Sequence, residues 1–184
     1  MKLFIRLFTL LTLVLSPVSF AEEAPASILK IAPQLETLGT IATLIAAAQA
    51  QNAEGLSLDT IKQRDADWRK VAGTNAFMDG LLSSAAAKEM ASFEAIQPYF
   101  IELFLMDNQG ANVAMTSKTS DYWQGDEAKW QESFKGGAGA LHVGDVEFDE
   151  SAQAYLVQVS VPVMDGGKAI GAITIGINLD ELGE

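Results

Sequence analysis

Cysteine is absent from the 184 residues, histidine occurs once, and 12 basic side chains stand against 24 acidic ones. Without a thiol there is no disulfide, no thiol catalysis, no thiolate metal site and no lipid attached through cysteine. His142 alone cannot assemble a zinc or iron site, because no ligands of matching softness accompany it. A Ser-His-Asp triad would have to use it too, and no Gly-x-Ser-x-Gly elbow precedes it. The shortage of positive charge argues against nucleic acid, whose phosphates need Lys and Arg, and against anionic lipid. Long apolar runs are missing as well, with one exception.

That exception is the N-terminus. Lys2 and Arg6 give a positive start, Leu3–Leu15 is an almost unbroken apolar core, and Ser19-Phe20-Ala21 offers small residues at the −3 and −1 positions. This is the pattern of a secretory signal peptide, too short for a spanning helix and interrupted at Pro17. The expectation is residues 1–21 as a signal peptide cleaved after Ala21, with export to a bacterial periplasm, where a cysteine-free core suffices. An uncleaved N-terminal anchor in the inner membrane is the other outcome. Residues 22–184 then form one domain. Taking Lys2 and Arg6 from the 12 basic residues leaves 10 against 24 acids, a net charge of −14 that favours solubility.

From Ile28 an apolar stripe recurs at three- and four-residue spacing through Ile31, Leu35, Leu38, Ile41, Ile45 and Ala48. It predicts one long amphipathic helix to about Asn52, closed by Gly55, that packs along a sheet or along its twin in a homodimer. A turn containing Asp59 and Asp65 follows. A second helix is expected from Asn75, as N-cap, to Ala95, ended by Pro98. Five extended runs come next: Tyr99–Met106, Ala111–Thr116, Leu141–Glu147, Gln153–Val163 and Ile170–Asn178. Asp107-Asn108-Gln109-Gly110 and Asp165-Gly166-Gly167 are hairpin signals.

The fold class is therefore α+β, a long N-terminal helix and a second helix on a five-stranded antiparallel sheet. Alternation divides the strands. Tyr155, Val157, Val159, Val161 and Val163 share one face with Ile173, Ile175 and Ile177, and Val113 and Met115 follow the same split. This bulky face should receive the helices. The other face carries Gln158, Ser160, Thr174 and Gly176. Roofed by Ser117–Lys135 it would enclose a pocket; unroofed it would simply be solvated.

The Ser117–Lys135 segment contains Thr119-Ser120-Asp121-Tyr122-Trp123-Gln124-Gly125-Asp126-Glu127. With Asp107 to Gly110, Thr116, Pro162-Val163, Gly166-Gly167 and Ile170-Gly171 in order, it resembles the Cache (PAS-like, PDC-type) extracytoplasmic sensor family over about Ile28–Leu182. The resemblance implies a PAS-like sheet and a pocket between that sheet and the Tyr-Trp segment. It implies small ligands: amino acids, short carboxylates, amines, purines, sometimes divalent cations. No Arg-x-Trp-Tyr run of the amino-acid-binding subset is present.

The ligand-binding candidates are Tyr122, Trp123, Asp121, Lys118, Gln158, Ser160 and Thr174. The aromatic pair would stack on a ligand or cage a cation, or one of the pair would plug the roof onto the sheet. Asp121, Asp126 and Glu127 could grip an amine or a cation, and Lys118 would suit a ligand carboxylate or simply stay solvated. Asp126 is expected to cap the helix reaching Lys135, and Trp130 to pack with Phe134. Asp145, Glu147, Asp149 and Glu150 read as a solvated acidic turn, with weak calcium binding as the alternative. Ser27-Ile28-Leu29-Lys30 fits Ser-x-x-Lys without its companion motifs, and Gly136-Gly137-Ala138-Gly139 lacks the Gly-Lys-Ser/Thr of a phosphate loop.

No catalytic group, cofactor or resident metal is expected. The expected function is a periplasmic sensor that binds a small polar ligand (an amino acid, carboxylate or amine). It would signal by conformational change to a separate membrane sensor kinase or receptor. The alternatives are a ligand-free interaction module docking or dimerising through the N-terminal helix, and a weak divalent-cation sensor.

Overall fold

A computed structural model describes residues 22–149 and 153–183. The expected signal peptide and Glu150 lie outside the described residues. Among those described, no single helix is long and apolar enough to cross a membrane.

The long N-terminal helix is broken. It is α1 (Ala26–Leu35), a 3₁₀ turn (Glu36–Thr40) and α2 (Ala42–Glu54), with a bend of 64°. Pro33 withdraws one helical donor just before the break. At the break itself Gly39 lies flat on the sheet, where a Cβ would sit 1.9 Å from the Pro162 carbonyl oxygen. The apolar stripe reaches the core in part: Ile28, Leu35, Leu38 and Ala48 are buried, Ile31, Ile41 and Ile45 are half-buried, and beyond the bend Leu44, outside the expected stripe, is buried instead. The bend, which the spacing does not reveal, shifts the buried face of α2 from Ile45 to Leu44.

The expected turn at Asp59 and Asp65 is instead helix α3 (Leu58–Trp68). Ser57 caps it by accepting the Thr60 amide, and Ile61, Asp65 and Trp68 form its buried side. The second expected helix is likewise two, α4 (Ala76–Ser83) and α5 (Ala85–Glu94). Asn75 caps α4 through the Met78 amide as expected. Ser84, extended at φ −62° and ψ 164°, ends α4 and caps α5 through the Ala87 amide.

The sheet is antiparallel, with strands β1 (Phe100–Met106), β2 (Asn112–Met115), β3 (His142–Asp149), β4 (Ala154–Asp165) and β5 (Lys168–Asn178) in the order β2-β1-β5-β4-β3. The expected α+β class with five strands is what the molecule shows. The odd-numbered Val157 to Val163 and Ile173 to Ile177 are buried against α1, α2 and α5, together with Leu103 and Leu105. Burying one such aliphatic side chain is worth about 1.5–3 kcal/mol, so this face supplies most of the core.

Two face assignments differ from the alternation. Tyr155 sits past the covering helices, 54% exposed, and packs only edge-on against Phe148 at 5.3 Å. In β2 a bulge opposite Leu105/Met106 shifts the register. Val113 and Ala114 join the helix face, whereas Met115 turns to the other side with Phe104. One extra residue moves every later side chain across the sheet.

The described members of the acidic cluster are in a strand and not in a turn. Asp145, Glu147 and Asp149 lie within β3, an edge strand, and β3 also pairs at Val146 with Glu22 of the incoming chain.

Candidate ligand-binding site

Three strands define the floor of the second sheet face. Glu102, Gly176 and Gln158 stand directly opposite one another on β1, β5 and β4, and the next row is Phe104, Thr174 and Ser160. Side chains two residues apart on one strand share a face, so these rows form one surface. Gly176 is what makes the first row concave. A Cβ there would lie 2.5 Å from Glu102 Cγ, so only glycine lets Glu102 lean across β5 toward Gln158. Their side chains meet, with Gln158 Nε2 donating to Glu102 Oε1 at 3.0 Å.

Over the second row lies α6 (Ala128–Phe134). Its Trp130 stacks on Phe134 at 4.9 Å and donates its indole N–H to the Asp107 carbonyl. Asp126 does not cap this helix. The N-cap is Glu127, which makes no side-chain capping bond, because its carboxylate is turned to Lys129 at 2.8 Å. The Lys129 ammonium also donates to Gln158 Oε1 at 3.2 Å and sits 5.6 Å above the Phe104 ring.

The first row stays open. Two adjoining cavities, of about 400 and 370 Å³, lie over it and share Lys129, Glu147, Asp149 and Gln158. The outer one runs along β3 past His142 and Asp145. The inner one is flanked by Arg69, Lys118, Thr119, Ser120 and Gln124. Such volumes suit a small molecule.

The lid of the inner cavity is held from α3. Asp65 Oδ1 accepts the amides of Tyr122 at 2.9 Å and Trp123 at 3.1 Å, and its Oδ2 meets Arg69 at 2.8 Å. Arg69 Nε also meets Asp121 at 2.9 Å. Asn112 binds the same segment through the Thr119 hydroxyl and the Asp121 carbonyl, and Trp68 donates its indole N–H to the Thr119 carbonyl. The end of α2 holds the neighbouring hairpin, with Gln51 bonded to Asp107 and Asn52 to the Asn108 amide.

Burial raises the Glu102 carboxyl above its ordinary value, and the Gln158 hydrogen bond opposes that rise. Among the described residues no group of three acidic, histidine or cysteine side chains is arranged to hold a metal ion.

Residues 70–184, more than half of the chain, match the family of methyl-accepting chemotaxis protein-like, first PDC sensor domains. The chain belongs to that family. Comparison with curated proteins gives no match. Solved structures with a similar course include the sensor domain of the Vibrio cholerae histidine kinase DctB, at 12% identity and a TM-score of 0.36, covering 85% of this chain and 59% of that one. The ligand-binding domain of the Pseudomonas fluorescens chemoreceptor CtaA in complex with L-valine shows 11% identity and a TM-score of 0.42, over 83% and 64%. That of the Pseudomonas aeruginosa amino acid chemoreceptor PctC in complex with GABA shows 14% and 0.43, over 83% and 62%. The chain spans about three-fifths of the length of these structures.

Within this PDC domain the expected site residues fall into three groups. Gln158 and Lys118 line the inner cavity, where Lys118 donates to the Val71 carbonyl. Ser160 and Thr174 lie buried, their hydroxyls bonded to each other at 2.8 Å, and line neither cavity. Tyr122, Trp123 and Asp121 belong to the lid's fastening. Tyr122 is fully buried between Trp68 and Phe77, at 5.7 and 5.4 Å. Trp123 turns outward under Lys62 and donates to the Gln109 carbonyl at 2.7 Å.

Glu102, Lys129 and Arg69 were missed as site residues. Glu102 carries a readable signal: it is the one charge in an otherwise apolar strand. For Arg69 no local pattern existed, since its place depends on the pairing with Asp121, 52 residues away.

Proposed function

We propose that this PDC domain is an extracytoplasmic sensor that takes a small polar ligand into the cavity over Glu102, Gly176 and Gln158. It would pass a conformational change to a separate membrane receptor or sensor kinase. The observation that carries this reading is the roofed concavity itself. A glycine-made hollow in the sheet lies beneath a lid of Arg69, Lys118 and the Thr119–Gln124 segment, and charged side chains converge on it. Export through residues 1–21, and a single domain over 22–184, belong to the same proposal.

Ligand contacts fall to Lys118, Gln158, Glu102, Lys129 and Arg69 in this reading. Tyr122, Trp123 and Asp121 act by holding the lid, and Ser160 with Thr174 stiffens the floor. The signal route follows the fastening. The pairs of Arg69 with Asp65 and Asp121 tie the lid to α3, so a ligand that repositions the lid carries α3 with it. The lid and α3 then move as a pair, and a ligand shifts their population by its differential affinity for the two positions.

The test is a thermal-shift screen of the purified chain, unfolded and refolded to strip any carried ligand, against amino acids, short carboxylates, amines, purines and divalent ions. A ligand at about 100 times its dissociation constant adds about 2.7 kcal/mol, which moves the midpoint by several degrees. A flat panel on well-folded protein would overturn the sensor reading in favour of a ligand-free interaction module.

A further inference from the structure

The cavity's charges are unevenly committed, and that imbalance carries a statement about its ligand. Two of the three Lys and Arg side chains facing the cavities are already paired with carboxylates. Arg69 holds Asp65 and Asp121 at 2.8 and 2.9 Å, Lys129 holds Glu127 at 2.8 Å and Gln158, and Lys118, which has no carboxylate partner among the described residues, donates to the Val71 carbonyl. Glu102 is different. It lines the inner cavity and a third, neighbouring one, and only its Oε1 is bonded, to the Gln158 amide. Among the described residues no cation lies within ion-pair distance of it.

Gln158 locks this arrangement. Its carbonyl oxygen accepts from Lys129 and its amide nitrogen donates to Glu102. The amide cannot be turned over without setting like against like at both ends. Lys129 is therefore held one side chain away from the carboxylate that it would otherwise neutralise. The Lys129 ammonium over the Phe104 ring also marks this floor as a place where a cation rests well.

Resting on the ligand-binding reading above, we propose that Glu102 is the anchor for a protonated amine. The ligand class is then small ammonium-bearing molecules rather than plain carboxylates. An ammonium supplies the ion-pair partner that the folded chain leaves out, and disturbs no existing pair. A carboxylate would have to approach Glu102, Glu127 and Glu147 together, and of the cavity's cations only Lys118, already donating to the Val71 carbonyl, could meet it without leaving a carboxylate partner. A half-buried carboxylate whose nearest cation is held off by Gln158 is destabilised, so the amine's gain includes relief of part of that cost.

The experiment titrates n-butylammonium chloride, alanine and sodium butyrate into the full chain at constant ionic strength and follows the unfolding midpoint, for wild type and Glu102→Gln. Butylammonium and alanine are expected to raise the wild-type midpoint and butyrate to leave it unmoved. In Glu102→Gln the amine response should weaken at least about ten-fold, the loss of one charge-assisted hydrogen bond. The unliganded variant should be no less stable than wild type, which separates lost binding from lost folding. Amine affinity should also fall with falling pH, as Glu102 takes a proton instead. If butyrate binds and the amines do not, or if Glu102→Gln responds to amines like wild type, the amine assignment fails while the cavity reading stands. If no compound of this set or of the wider screen shifts the midpoint, both fail.

Discussion

Replacing Asp65 tests how the lid is held. Asp65 is buried, and one of its oxygens accepts the amides of both Tyr122 and Trp123. Asp65→Ala leaves two N–H groups without an acceptor, at about 1–3 kcal/mol each. The expected loss is about 2–6 kcal/mol, or roughly 5–20 °C in midpoint at this chain length. Asp65→Asn retains an acceptor oxygen and loses only the ion pair to Arg69, whose side chain is 53% exposed. A pair that open to solvent is worth about 0–1 kcal/mol. Urea denaturation of both variants, with free energies from the same extrapolation, makes the comparison. Equal costs for Ala and Asn would show that charge, not the double amide acceptance, matters at this position. A negligible cost for Ala would show that the lid does not depend on α3.

Three further outcomes follow from the same geometry. Tyr122→Ala empties a fully buried site between Trp68 and Phe77 and should cost about 3–5 kcal/mol of stability in chemical denaturation. Thr174→Val strands the Ser160 hydroxyl and should cost about 1–3 kcal/mol, whereas Thr174→Val with Ser160→Ala removes both partners and should recover most of that loss in the same assay. The Glu102 carboxyl is raised by burial, so the folded state binds the extra proton and the unfolded state does not. Its contribution to stability is therefore present below the ordinary glutamate range and lost as pH rises through the folded value. Glu102→Gln should flatten that part of the stability–pH curve, and an unchanged curve would refute the shift.

Much of the architecture is local in origin and was legible as such. The five strands appear within a few residues of their expected limits, because alternation, β-branched residues and the Asp-x-x-Gly and Gly-Gly turns act over short spans. Val157 to Val163 and Ile173 to Ile177 announced the buried face for the same reason, and Asn75 announced its own helix start. The small, mildly polar face was visible too, down to Gly176 and Gln158, since the absence of side-chain bulk is written in residue type.

What tertiary contact decided is of another kind. Gly39, at the bend, packs so close to the sheet that a Cβ would lie 1.9 Å from the carbonyl oxygen of Pro162, a residue 123 positions away. α3 has few apolar residues, and its burial of Asp65 and Trp68 rests on bonds to the lid. The lid aromatics, conspicuous in sequence, became fastenings, because Trp68 and Phe77 reach Tyr122 before any ligand can. Glu102 and Arg69 gained their meaning only when distant segments closed around them. Residue type and spacing determined which face would be hollow. Which charges in that hollow are left without a partner is a sum over long-range contacts, and only the folded chain carries it out.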